Sequence, residues 1–301
     1  MTYFDFFAQK LKPELLRANE PMKNHTSFRT GGPADVLILP RNAAELAAVA
    51  EDCRALGFPH MVIGNGSNLL FPDEGYKGVI IKTAGGLTDF EARGGAVVAG
   101  AGLSLAALAD AALENGLTGF EFASGIPGTL GGAVYMNAGA YDGEMRDAFL
   151  WADVLTEDGT ARMTKADMGF AYRKSALQDG GGILLRAAFG LQDGDRDKIR
   201  EKMRDLNARR REKQPLEYPS AGSTFKRPPG HFAGRLIAES GLAGFSIGGA
   251  QVSEKHCGFV INRGGATTGD ILKVIGHVQD AVMKRFGVRL EPEVKIVNNT
   301  H

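Results

Sequence analysis

Between residues 36 and 82 the sequence alternates short apolar runs with one helical repeat, and this alternation constrains the fold more than any other feature. Val36-Leu37-Ile38-Leu39, Met61-Val62-Ile63 and Val79-Ile80-Ile81-Lys82 are runs of branched aliphatic residues of strand length. Between the first two, residues 42–56 repeat Leu46, Val49, Ala50 and Cys53 on one helical face. Asn42 and Glu45 read as a capping box and Gly57 as the stop. Strand, helix and strand in this order form an α/β unit whose helix packs on a sheet.

A second unit repeats the pattern, with a strand at 96–100, a helix at 104–114 carrying Leu105, Leu108, Ala109, Ala112 and Leu113, and strands at 150–156 and 183–189. Residues 193–215 differ: they spell a highly charged helix with a narrow stripe of Ile199, Met203 and Leu206, stopped by Pro215. Its start marks a domain boundary. The last third carries a helix at 232–240, a strand at 257–261 and a longer helix at 268–286. That helix buries Ile271, Val274, Ile275, Val278, Val282 and Phe286 and closes at Gly287. The expected fold class is α+β, α/β-like in its N-terminal part, with units at 1–85, 86–193 and 194–301.

Charge narrows the function classes. Thirty-five basic and 35 acidic side chains cancel, so no surface concentrates the positive potential that nucleic acid or an anionic membrane requires. Arg209-Arg210-Arg211 is balanced by acidic neighbours and reads as a solvated helix face. Cys53 and Cys257 match neither a metal spacing nor a disulfide framework, which fits a reducing cytoplasm. The six histidines form no metal-binding cluster, and His25 and His256 read as structural. No segment reads as a signal peptide or a membrane span. With 301 residues, two or three domains and a ligand in a cleft between them are expected.

Two glycine-rich stretches could line such a cleft. Ile63-Gly64-Asn65-Gly66-Ser67-Asn68-Leu69-Leu70 places bare N–H groups and short polar side chains between apolar segments, as a pyrophosphate cradle or a plain β-turn would. It is neither a Walker loop nor the Rossmann fingerprint, because no Gly-Lys-Ser/Thr follows and Leu69 replaces the third glycine. Residues 125–141 hold Gly125, Pro127, Gly128, Gly131, Gly132 and Gly139, with Thr129 and Asn137 offering polar contacts. Two such loops could clamp an extended dinucleotide, or the second could be a tightly packed crossing between sheets. Among reactive side chains, Arg173, Ser223 and Glu293 have ordinary readings as a surface charge, a turn and a solvated acid. Ser223 lies outside any Gly-x-Ser-x-Gly elbow.

Taken together, the motifs resemble the UDP-N-acetylenolpyruvoylglucosamine reductase family, also called UDP-N-acetylmuramate dehydrogenases, over nearly the whole chain. The resemblance rests on residues 24–34 (NHTSFRTGGPA), 64–70, 125–141, Tyr172-Arg173-Lys174-Ser175, residues 221–226 (AGSTFK), residues 251–256 (QVSEKH) and Glu291-Pro292-Glu293. It implies a vanillyl-alcohol-oxidase-type FAD fold, with FAD between two N-terminal subdomains and a C-terminal domain over the substrate. The length resembles the family's shorter class, which lacks a tyrosine-bearing loop.

The resemblance also implies roles. NADPH reduces FAD, which delivers hydride to the enolpyruvyl group. Arg173 and a protonated Glu293 flank the substrate carboxylate, and Ser223 protonates the neighbouring carbon. Lys226 and Tyr172 bind substrate. Gly64, Asn65, Gly66, Ser67, Asn68, Gly125, Pro127, Gly128, Thr129, Gly131, Gly132, Asn137 and Gly139 hold FAD. Asp142 and Arg227 depart from the residues common at their positions. A cytoplasmic monomer is expected, with a small-molecule substrate and no metal or protein partner.

Overall fold

In the computed structural model, which describes residues 2–180 and 182–299, the first sheet orders its strands Leu16–Pro21, Pro33–Ile38, Tyr76–Lys82 and His60–Ile63. The first pair is antiparallel and the others parallel. Side-chain alternation splits this sheet between two cores. Val36, Ile38, Val79 and Ile81 face the helix Ala43–Ala55, which buries Leu46, Val49, Ala50 and Cys53. Leu37 and Ile80 point the other way, onto Met22, Phe71, Tyr76 and Val297. Each fully buried aliphatic side chain stabilises the fold by about 1.5–3 kcal/mol. The second core is closed by a residue from the far end of the chain.

The helix does start at Asn42, whose side chain accepts from Glu45 N, but no reciprocal box forms. Glu45 reaches one residue further back, to Arg41 N, drawn there by the Arg41 guanidinium.

The second sheet is antiparallel, ordered Gly159–Thr164, Phe149–Thr156, Ile183–Gly190, Ala96–Gly100 and Phe90–Arg93. Helix Leu105–Glu114 is capped by Ser104 and packs beside it. The charged helix runs from Arg196 to Lys213, shorter at its start than the sequence pattern suggests, because Gln192–Asp193 pairs with Leu117–Thr118 and Asp195 caps it. Ile199 and Met203 join the N-terminal core.

In the last third, the helix Thr268–Phe286 buries Ile271, Val274, Ile275, Val278 and Val282 against Ala250, Val252 and Val260. The strand expected at 257–261 is instead Val260–Asn262, since Cys257 and Gly258 belong to the turn before it. Phe28 and Leu70 are buried in this C-terminal core. Asp73 accepts from Thr268 N at 2.8 Å and Gly269 N at 2.9 Å, so a first-unit side chain caps the C-terminal helix where its N–H groups lack partners. Lys295–Ile296 runs parallel to Leu69–Leu70. Through these contacts the C-terminal residues 291–297 lie beside the first glycine loop.

Candidate active site

The two glycine loops meet. A β-carbon on Gly64 would stand 2.1 Å from Thr129 Oγ1, and one on Gly128 would stand 3.6 Å from Ser67 Oγ. Gly66 takes a left-handed φ of +61° beneath His25, whose carbonyl oxygen would lie 2.0 Å from an added β-carbon. Ser27 N donates to Gly66 O. Lys82 Nζ donates to His25 Nδ1 at 3.1 Å, so His25 Nε2 carries the proton it shares with Glu20 Oε1 at 2.8 Å. Burial lowers the Lys82 pKa. His25 is thus structural, a prop behind the Gly66 turn.

The loop seam contains polar groups without protein partners. Thr129 Oγ1, Ser27 Oγ and Thr30 Oγ1 are buried with no hydrogen bond, and among the described residues the N–H groups of Asn65, Gly66 and Ser67 donate to no protein acceptor. Buried hydroxyls without a partner are rare unless a ligand or water satisfies them. Bare amides, short hydroxyls and glycines without room for a side chain fit the diphosphate and sugar oxygens of a flavin dinucleotide.

Not every residue expected in the clamp faces it. Asn137 is fully buried at φ +42°, ending the helix Leu130–Met136. Its amide donates to Glu144 Oε2 and Ala171 O and accepts from Arg146 N, so the side chain is satisfied within the protein and braces the fold. Gly131 lets its helix approach Ala101, whose atoms an added β-carbon would meet at 3.2 Å. The helix itself was invisible in a run rich in glycine, a poor helix former. Arg210, expected on a solvated face, is half-buried against Gly125, and burial lowers its pKa.

The three reactive candidates converge. Ala171 and Lys174 exchange backbone hydrogen bonds, so Tyr172 and Arg173 form the tip of a tight turn with Arg173 at φ +56°. Its guanidinium donates to Glu293 Oε1 at 2.7 Å and Gly139 O at 3.3 Å. Glu293 is fixed from both sides: its N–H donates to Thr224 O, and its carbonyl accepts from Asn68 Nδ2 at 3.1 Å. Asn68, expected to face a phosphate, therefore joins the first glycine loop to the segment that carries Glu293. Ser223 immediately precedes Thr224 and is exposed.

Arg173, Ser223, Glu293 and Tyr172 line one cavity of about 500 Å³, with Phe225, Arg227, Phe232, Arg235, Lys255 and His256 around the rest of its wall. Burial raises the Glu293 pKa, and the neighbouring Arg173 and Lys226 only partly oppose this. Burial likewise lowers that of His256. Besides Arg173, the basic side chains of the wall are Arg227, stacked over Phe232 at 3.9 Å, Arg235 and Lys255, none of which sequence reading assigned to the site. Lys226 is instead paired with Glu291 at 3.2 Å, and Tyr172 accepts a hydrogen bond from Arg227 N.

Residues 34–165, which contain both glycine loops, match the family model described as an FAD binding domain. Alkyldihydroxyacetonephosphate synthase shares the architecture over 64% of this chain and 41% of its own, with a TM-score of 0.51 at 15% identity. Fold and family model therefore define an FAD-binding protein with the p-cresol methylhydroxylase and vanillyl-alcohol oxidase type of binding fold. Residues 214–297 match the C-terminal domain of UDP-N-acetylenolpyruvoylglucosamine reductase.

Enzymes of that name from Caldanaerobacter subterraneus and Clostridium perfringens are 51% and 48% identical, over 97% and 99% of this chain and 97% and 98% of theirs. The crystal structure of the Thermus caldophilus enzyme superposes with a TM-score of 0.81 at 36% identity, covering 93% of this chain and 99% of that one. The chain belongs to the UDP-N-acetylenolpyruvoylglucosamine reductase family.

Proposed function

We propose that this chain reduces UDP-N-acetylglucosamine enolpyruvate to UDP-N-acetylmuramate, a peptidoglycan precursor, with NADPH as reductant. Its membership of the reductase family supports the reaction, and one observation carries the assignment of residues: Arg173 and Glu293, 120 positions apart, join at 2.7 Å in the cavity that Ser223 also lines. When bound, FAD supplies the hydride that it has taken from NADPH.

The residues divide the remaining work. Hydride addition to the terminal carbon of the enolpyruvyl group leaves negative charge spread over the neighbouring carbon and the carboxylate. Arg173, held in place by Glu293 and Gly139, compensates that charge from a fixed position. A charged Glu293 would repel the intermediate; its raised pKa favours the neutral acid, which donates a hydrogen bond instead. Ser223 gives its proton to the carbon beside the carboxylate, and its exposure lets solvent restore that proton.

Tyr172 and Lys226 are assigned to the sugar nucleotide, Lys226 exchanging Glu291 for a phosphate oxygen. Gly64–Ser67 and Gly125–Gly132 are assigned to FAD, between units at 1–85 and 86–193, with 194–301 covering the substrate. A monomer in the cytoplasm completes the reading; two free thiols suit a reducing compartment, and no described helix is long and apolar enough to cross a membrane.

An anaerobic absorbance spectrum tests the reading. The flavin band bleaches with NADPH and returns on adding the enolpyruvyl sugar nucleotide. A bleached band that this substrate fails to restore would discard the substrate assignment and keep the flavoenzyme.

A further inference from the structure

Gln178 lies five residues beyond Arg173, and the hydrogen bonds of its amide reach three parts of the chain. Nε2 donates to Tyr135 O at 2.8 Å and Arg173 O at 3.0 Å, while Oε1 accepts from Lys295 Nζ at 3.0 Å. Tyr135 belongs to the end of the helix Leu130–Met136, to which Ser175 Oγ also donates. Lys295 stands two residues past Glu293, in the segment running along Leu69–Leu70. One side chain therefore touches the backbone of the reactive arginine and a lysine two residues from the reactive acid.

The arrangement requires an amide. A glutamate would set a carboxylate against two carbonyl oxygens, and a lysine would offer no acceptor to Lys295. Arg173 also needs external support. Its left-handed φ of +56° is strained for a residue with a β-carbon and persists where the surroundings hold it. Neither Gln178 nor Lys295 lines the cavity, so any effect on the reaction passes through the residues they hold.

We propose that Gln178, pinned by Lys295, is the positioning residue that sets Arg173 against Glu293 for the reduction step. This rests on the reading of Arg173 and Glu293 as the reacting pair. The charged groups that face them are known: Glu293 faces Arg173 and Lys226, and Lys295 faces Lys226, Lys174 and Asp179. Because Arg173 opposes the burial that raises the Glu293 pKa, loosening Arg173 lets that pKa rise further.

The experiment follows both half-reactions by anaerobic stopped flow in FAD-loaded Gln178→Leu, Lys295→Met, Lys295→Arg and Arg173→Ala variants, together with melting temperatures. For Gln178→Leu and Lys295→Met, flavin reduction by NADPH stays within about twofold of wild type while reoxidation by substrate slows on the order of a hundredfold, the effect of an ångström of misplacement. The alkaline limb of the pH profile for reoxidation moves upward in both. Lys295→Arg, which keeps a donor for Gln178 Oε1, recovers most of the rate. Wild-type reoxidation, equal slowing of both half-reactions, an unmoved alkaline limb, or Lys295→Arg no faster than Lys295→Met each overturns the proposal. Unimpaired reoxidation in Arg173→Ala removes the underlying reading, whatever the Gln178 variant does.

Discussion

Gly64→Ala tests whether the loop seam holds the flavin. The new methyl would lie 2.1 Å from Thr129 Oγ1, whereas ordinary contact begins at 3.4 Å, so the loops must part by more than an ångström. Overpacking of this kind costs about 1–3 kcal/mol. In apoprotein the seam can open to relieve the clash, so the cost falls on the closed, loaded state and weakens FAD binding roughly tenfold to a hundredfold. Titration of apoprotein with FAD, read by flavin fluorescence, measures this directly, and the melting temperature should fall more with FAD than without.

A companion change separates fit from chemistry. Thr129→Ala in the Gly64→Ala background removes the clashing oxygen and leaves only the Cβ at position 129, 3.2 Å away. Binding should recover to within the few-fold loss expected for one missing hydrogen bond, about 0.5–1.5 kcal/mol. Unchanged FAD affinity in Gly64→Ala, or a double variant no tighter than the single, refutes the reasoning.

Other outcomes follow from the same geometry. Ser223→Ala should leave flavin reduction by NADPH intact and slow reoxidation by substrate about a hundredfold, as loss of a general acid does; equal slowing of both steps rejects that role. Arg173→Lys should lose most turnover despite its retained charge, because one ammonium cannot reproduce the fork that reaches Glu293 and Gly139 together; near wild-type turnover would exclude Arg173 from the chemistry. Glu293 has a folded-state pKa above its unfolded value of about 4.3, so its contribution to stability is greatest below that value and is lost as pH rises through the folded one. The difference in melting temperature between Glu293→Gln and wild type should therefore move in the variant's favour across that window, and a trend in the opposite direction contradicts it. Asp73→Ala should lower stability by about 1–2 kcal/mol through loss of a helix cap, read by thermal unfolding, with no change counting against the cap.

The elements legible in the sequence are those whose signal is local. The helix Thr268–Phe286 and the strand Ala96–Gly100 lie where periodicity and flanking glycines put them, because burial of one face follows from spacing alone. The family was legible for a related reason: its motifs are runs of a few residues in fixed order. The helix Leu130–Met136 was not, since its glycines oppose helix formation and packing against Ala101 overrides them. Asn137 read as a ligand contact because an asparagine among glycines looks the same whether its amide faces solvent or, as here, Glu144 and Ala171.

By itself, then, the sequence determined the longer helices, several strands, the glycine loops and three candidate reactive side chains, all properties carried by neighbours along the chain. Only the tertiary structure decided that Arg173 would meet Glu293, that Asn68 would hold the backbone of that acid, that Arg210 would be half-buried, and that Val297 would close a core begun at Met22. Those contacts join residues far apart in the chain. Their partners are chosen by how sheets and helices pack, and no local pattern encodes that distance.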